Sequence, residues 1–184
     1  MHPDVVGNPI IEQVVAAALG KGAVLSFYNG HCNLSGSGTQ PLHMESPWAW
    51  QTEADAAEAG KAWPPPATAV SVCIAVEDID ESNGADEIWP GSHIDVSAAT
   101  AEPGASATRA HVQSIHFCLT LRLRAGLPTG QELTGEAVEE RRLSESSGPT
   151  RLCIPKGSVA FVDGRLWRRV RNLRPSLKQQ TCEA

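Results

Sequence analysis

The stretch Ala69-Val70-Ser71-Val72-Cys73-Ile74-Ala75-Val76 gives the clearest local reading in the chain. Val70, Val72, Ile74 and Val76 fall on one side of an extended backbone, and Ser71, Cys73 and Ala75 on the other. Because the alternate residues are small rather than charged, both faces of this strand are expected to be covered, or one to line a pocket. Downstream, Ile115, Phe117, Leu119, Leu121 and Leu123 alternate with Ser114, His116, Thr120, Arg122 and Arg124, which is a second strand pattern. Val159 to Val162 gives a third, shorter strand after the turn residues Pro155-Lys156-Gly157.

Upstream, Asn8-Pro9 reads as an N-cap followed by proline in the first helical turn. Ile10, Ile11, Val14, Val15 and Leu19 then recur at helical spacing up to Gly20. Ala23 to Tyr28 is short and apolar enough for a buried strand, and Asn29 to Gln40 reads as loop. Glu53 to Lys61 suits a short helix stopped by Trp63-Pro64-Pro65-Pro66. Asn83-Gly84 and Pro90-Gly91 mark turns on either side of Trp89. Glu136 to Glu145 is charged and reads as a helix candidate. Many short strands with frequent Gly and Pro favour a β sandwich or barrel over a doubly wound sheet.

Composition narrows the functional classes. The chain has 184 residues, 41% hydrophobic and 20% charged, with a formal net charge of −6. These values suit one globular domain over residues 1–184 and disfavour disorder. No stretch is long and apolar enough for a membrane span, and Met1-His2-Pro3-Asp4 lacks a basic signal-peptide start. The cysteines Cys32, Cys73, Cys118, Cys153 and Cys182 are odd in number and form no CxxC pair. A disulfide framework or structural zinc site is therefore not indicated, and a cytoplasmic setting is expected. The cationic residues from Arg165 through Lys178 read as a rim facing solvent or an anionic cosubstrate. No aromatic stacking pattern is woven into them, so nucleic acid is not an expected partner.

The most informative chemistry lies at His43-Met44-Glu45. On extended backbone the imidazole and the carboxylate point the same way and could supply two ligands to a divalent metal. Two histidines and one carboxylate form the facial triad of non-haem Fe(II) oxygenases, which leaves positions open for cosubstrate and dioxygen. HxE alone is weak evidence, because a histidine close to an acid is common at surface turns. His111 and His116 read as ordinary loop or strand histidines.

Four blocks carry a resemblance. They are Gly36–Trp50 (GSGTQPLHMESPWAW), Trp63–Val76 (WPPPATAVSVCIAV), Asn83–His93 (NGADEIWPGSH) and Pro155–Asn172 (PKGSVAFVDGRLWRRVRN). In this order the chain resembles the phytanoyl-CoA dioxygenase family of Fe(II)- and 2-oxoglutarate-dependent enzymes, and most strongly the branch acting on secondary metabolites. Residues 111–145 are atypical of it. The resemblance implies a mainly β fold, a double-stranded β-helix or jelly roll of the cupin-like kind, with a few short helices. Family members are usually longer before the HxD block, so the chain is expected to be truncated at its N-terminal side.

The resemblance also implies site residues. The family's HxD falls on His43 and Glu45, the expected iron ligands. Its preceding Gln falls on Gln40, an expected support for 2-oxoglutarate, and its distal carboxylate clamp falls on Lys178, with Arg174 as the alternative. The implied partner is a small, mainly apolar metabolite, with Trp48 and Trp50 beside the metal position. His93 is expected to be a structural member of its turn. A homodimer stays open, since the family includes monomers and dimers.

One position departs from the family pattern. Where Arg-Leu-Trp-His-Arg is expected, this chain reads Arg165-Leu166-Trp167-Arg168-Arg169. A guanidinium has no free lone pair and stays charged, so Arg168 cannot stand in for the second histidine ligand. It would repel Fe(II) and could instead pair with Glu45. The resemblance, with this departure, therefore implies an Fe(II)/2-oxoglutarate dioxygenase-like protein of impaired activity, with a catalytically inactive relative or degenerate gene product as the alternative.

Overall fold

The computed structural model describes residues 3–33, 39–46, 48, 50, 52–94, 112–122, 131–133 and 148–171. Its elements begin with helices α1 (Pro3–Val6) and α2 (Pro9–Leu19), then strands β1 (Val24–Asn33) and β2 (His43–Met44). Next come α3 (Glu53–Glu58), β3 (Ala69–Ala75) and β4 (Asp86–Ile88). A 3-10 turn at Ser92–Ile94 is followed by β5 (Val112–Arg122), β6 (Gln131–Glu132), β7 (Thr150–Leu152), β8 (Val159–Asp163) and β9 (Arg168–Arg169).

The strands form two antiparallel sheets, so the fold is mainly β. The first runs β1-β5-β3-β8 and the second β6-β2-β9-β4-β7. The alternation at 69–75 explains how the first sheet is covered. Val70 and Val72 pack against Ile11, Val15 and Leu19 of α2. On the opposite face, Cys73 and Ala75 pack with Ile79, Ala85 and Ile154, and with Leu152 from the second sheet. Small side chains are needed there because the second sheet approaches closely.

Local signals account for most boundaries. The Asn8 side chain accepts hydrogen bonds from the amides of Ile10 at 3.0 Å and Ile11 at 3.4 Å, which caps α2. Thr52 and Asp55 cap α3 reciprocally through 3.1 Å side-chain-to-backbone bonds. The turn between β3 and β4 is closed by Asp80, which accepts from the Ser82 amide at 2.7 Å.

Two expectations need correction. The apolar run at 23–28 is not a buried strand: Val24 is 40% and Phe27 49% exposed. It belongs to β1 at the sheet edge, where β5 is its partner among the described residues. The strand also continues to Asn33, into the segment read as loop from Asn29. The cause is the length of β5, which pairs with β1 from Val24↔Arg122 to Asn33↔Val112. Arg174, Lys178, His111 and the helix candidate at 136–145 lie outside the described residues, as does most of the atypical segment 111–145.

Candidate functional site

Strand alternation places the site between the sheets. Leu42 and Met44 point into a buried cluster with Trp48, Trp89 and Trp167. Their neighbours His43 and Glu45 therefore project from the other face of the second sheet. β9 lies alongside, with His43 and Arg168 as direct partners in the ladder. Trp167 joins the tryptophan cluster, so Arg168 emerges on the face of His43 and Glu45. Ser92 fixes this register, since its hydroxyl accepts from the Trp167 amide at 2.9 Å. His93 sits in the same short turn.

The geometry is that of an ion pair. Arg168 Nη2 donates to Glu45 Oε1 at 2.6 Å. The Pro41 carbonyl lies 2.9 Å from His43 Nδ1, and because a carbonyl can only accept, that nitrogen carries a proton. His43 Nε2 is thus turned toward Glu45 Oε1, 3.5 Å away. His43 and Arg168 are buried, whereas the Glu45 side chain is 29% exposed. The Arg168 charge holds the Glu45 carboxyl well below the usual carboxylate range, against an opposing effect of burial and with help from His43.

The first sheet also reaches Glu45. Arg122, buried near the end of β5, donates from Nη2 to the Glu45 backbone carbonyl at 3.0 Å. Burial lowers the Arg122 pKa, and the Glu45 charge opposes that shift. Sequence reading treats Arg122 as one polar position in an alternating strand and misses this role. The available signal lies in the partner strand: Leu121 faces Val70 on the helix-covered side, so Arg122 must turn inward.

Other candidates fall around this centre. Gln40 lies beside β9, where its backbone amide donates to Val170 O at 2.9 Å and its side-chain oxygen accepts from the Val170 amide at 3.3 Å. Trp48 is buried in the tryptophan cluster, with the Arg165 guanidinium 4.8 Å from its ring centroid. Trp50 is only partly buried.

Each described arginine after position 164 pairs with an acid. Arg165 bonds Asp163 at 2.7 Å, and Arg169 bonds the buried Glu87 at 2.8 Å. Arg171 also pairs with Glu87. Successive residues of β9 thus serve opposite faces, Arg168 toward Glu45 and Arg169 toward Glu87.

These residues do not fit an iron centre. His43 and Glu45 offer two donors, and a guanidinium is already bonded to the carboxylate. Among the described residues, no group of three or more His, Cys, Asp or Glu side chains is placed to hold a metal ion. No helix among them is long and apolar enough to cross a membrane.

The model of the phytanoyl-CoA dioxygenase (PhyH) family matches residues 2–169. Among solved structures, the crystal structure of EvdMO1 is similar, with a TM-score of 0.49 and 16% sequence identity. The similarity covers 93% of this chain and 29% of that one, so the chain spans less than a third of that protein's length.

Proposed function

The chain belongs to the phytanoyl-CoA dioxygenase family, and from that premise we propose that it is a relative without iron-dependent catalysis, serving as a binding or interaction protein. The observation that carries this reading is the 2.6 Å contact between Arg168 and Glu45. Fe(II) in this family supplies activation of dioxygen with 2-oxoglutarate as cosubstrate. In this chain the carboxylate needed for the ion is engaged by a fixed cation that cannot donate a lone pair.

Within this reading the two sheets are the halves of a jelly roll, and the bound partner is a small, mainly apolar molecule. The assignment to the secondary-metabolite branch rests on the sequence blocks alone. The 2-oxoglutarate roles of Gln40 and Lys178 belong to the competing reading, an active dioxygenase.

The discriminating experiment is an anaerobic titration with Fe(II) and millimolar 2-oxoglutarate, followed by admission of oxygen. We expect no visible charge-transfer band and no succinate above a protein-free control. A saturable band followed by stoichiometric succinate would overturn the proposal and establish the dioxygenase.

A further inference from the structure

We infer that the guanidinium of Arg168 fills a cation position that the fold still builds, and that replacing it with imidazole opens a site for a divalent ion such as Co(II) or Fe(II). This rests on the preceding reading that the natural chain runs no iron chemistry, and it identifies what blocks the ion.

Three relationships converge on the position. First, His43 and Arg168 face each other in the β2–β9 ladder. Facing residues of an antiparallel pair have Cβ atoms roughly 4.5–5.5 Å apart. A histidine at 168 would therefore start from the right strand, on the right face, within reach of the same point. Second, His43 Nε2 and Glu45 Oε1 lie 3.5 Å apart. Donors about 2.0–2.2 Å from one ion are separated by roughly 3.0–3.5 Å in octahedral or tetrahedral geometry, so this pair is already spaced as two ligands. The bond from His43 Nδ1 to Pro41 O orients the ring as an outer partner orients a metal-binding histidine.

Third, the occupant of the position is itself a cation. Arg168 Nη2 sits 2.6 Å from Glu45 Oε1, satisfying the charge that an ion would otherwise satisfy. A divalent ion brought to the natural site meets a buried positive charge at contact distance and competes for the same oxygen. Arg168→His removes the repulsion and adds a donor together.

The test uses the full chain, free of any affinity tag and treated with chelator. Co(II) is titrated into the natural protein, Arg168→His, and Arg168→His combined with Glu45→Gln, with visible absorption and melting temperature as readouts. Arg168→His should bind Co(II) at least about a hundredfold more tightly than the natural chain. Adding Glu45→Gln should remove most of that gain. Equal affinity in the natural protein and folded Arg168→His overturns the inference.

If Arg168→His does not fold without metal, refolding it with Co(II) present carries the test. Recovery of the folded chain together with the Co(II) absorption band is expected, and failure of Co(II) to restore folding overturns the inference. Failure here is distinct from failure of the functional reading. Succinate production by the natural chain sinks the latter, whereas an inactive natural chain with a metal-blind Arg168→His sinks only the former.

Discussion

Arg168 stands directly opposite His43 in the β2–β9 ladder, so the fold delivers whatever residue occupies position 168 onto the carboxylate two residues beyond His43. Arg122 approaches the same residue from the first sheet, through its backbone carbonyl. Glu45 is therefore gripped by one arginine from each sheet. A charge-assisted bond at this depth fixes geometry, and breaking one side leaves a buried charge without its counterpart.

Glu45→Gln should destabilise the protein by about 1–3 kcal/mol, since Arg168 is left buried beside a neutral amide. Arg168→Met should cost less, roughly 0–2 kcal/mol, because an apolar stem replaces the guanidinium and the partly exposed Glu45 can take up water. Urea unfolding of both variants and their double mutant gives the comparison, with a coupling energy of about 1–2 kcal/mol expected between the sites. A greater loss from Arg168→Met than from Glu45→Gln would refute this assignment of the buried partner.

The same pair makes stability depend on acid. The Glu45 carboxyl has an ordinary value of 4.5, and Arg168 lowers it in the folded protein. As pH falls through the ordinary range, the unfolded chain binds a proton at Glu45 before the folded chain does. The contribution is thus fully present above that range and is lost progressively as pH drops toward the folded value, by up to about 1.4 kcal/mol per pH unit. The stability gap between natural protein and Glu45→Gln should therefore stay flat from pH 7 to 5 and shrink between pH 4.5 and 3. Urea midpoints across that series measure it, and a gap that stays constant through pH 3 contradicts the linkage.

Arg122→Met tests the connection between the sheets. It removes a buried donor to the Glu45 carbonyl but retains most of the stem volume, so a loss of about 1–3 kcal/mol is expected. Arg122→Lys should recover little, because the ammonium lacks the planar fork and reaches less far sideways. The informative readout is amide hydrogen exchange: Ser46, whose amide donates to Gly164 O at 2.8 Å, should lose protection in Arg122→Met. Unchanged protection there would show that Arg122 does not hold this junction.

What the sequence disclosed and what it withheld follow from the range of each signal. Asn8-Pro9, Ser71 to Ala75 and Asn83-Gly84 act through neighbours a few residues away, so the capped helix, the central strand and the turn were legible. The pairing of Arg168 with Glu45 was legible only because a resemblance supplied the alignment of two blocks far apart in the chain. Arg122 was not, since a strand's polar positions look alike whether they face water or a second sheet. Glu87, buried among Arg169, Arg171 and Trp89, was likewise hidden, because β4 is only three residues long and shows no alternation to read. The exposure of β1 is not legible either, because an apolar run does not reveal whether its strand will lie inside a sheet or at its edge.

Gly164 shows how narrow the space around the site is. A Cβ built there would lie 3.0 Å from the Cβ atoms of both Ala69 and Ser46, and 3.2 Å from the Ala69 carbonyl. The Gly164 amide also donates to that carbonyl at 3.0 Å, while its own carbonyl accepts from Ser46. None of the three atoms that the Cβ would meet is the far end of a flexible side chain, so Gly164→Ala must move backbone, and Ser46 adjoins Glu45. The added methyl should cost about 1–3 kcal/mol by overpacking. Gly148→Ala is the matched control, as its Cβ meets nothing within 4 Å, and its effect should stay within about 0.5 kcal/mol. Because the strain enters beside the ion pair, Gly164→Ala combined with Glu45→Gln should be less damaging than the two separate losses added together. Strict additivity in urea unfolding would show instead that the wedge at Gly164 leaves the Glu45–Arg168 geometry untouched.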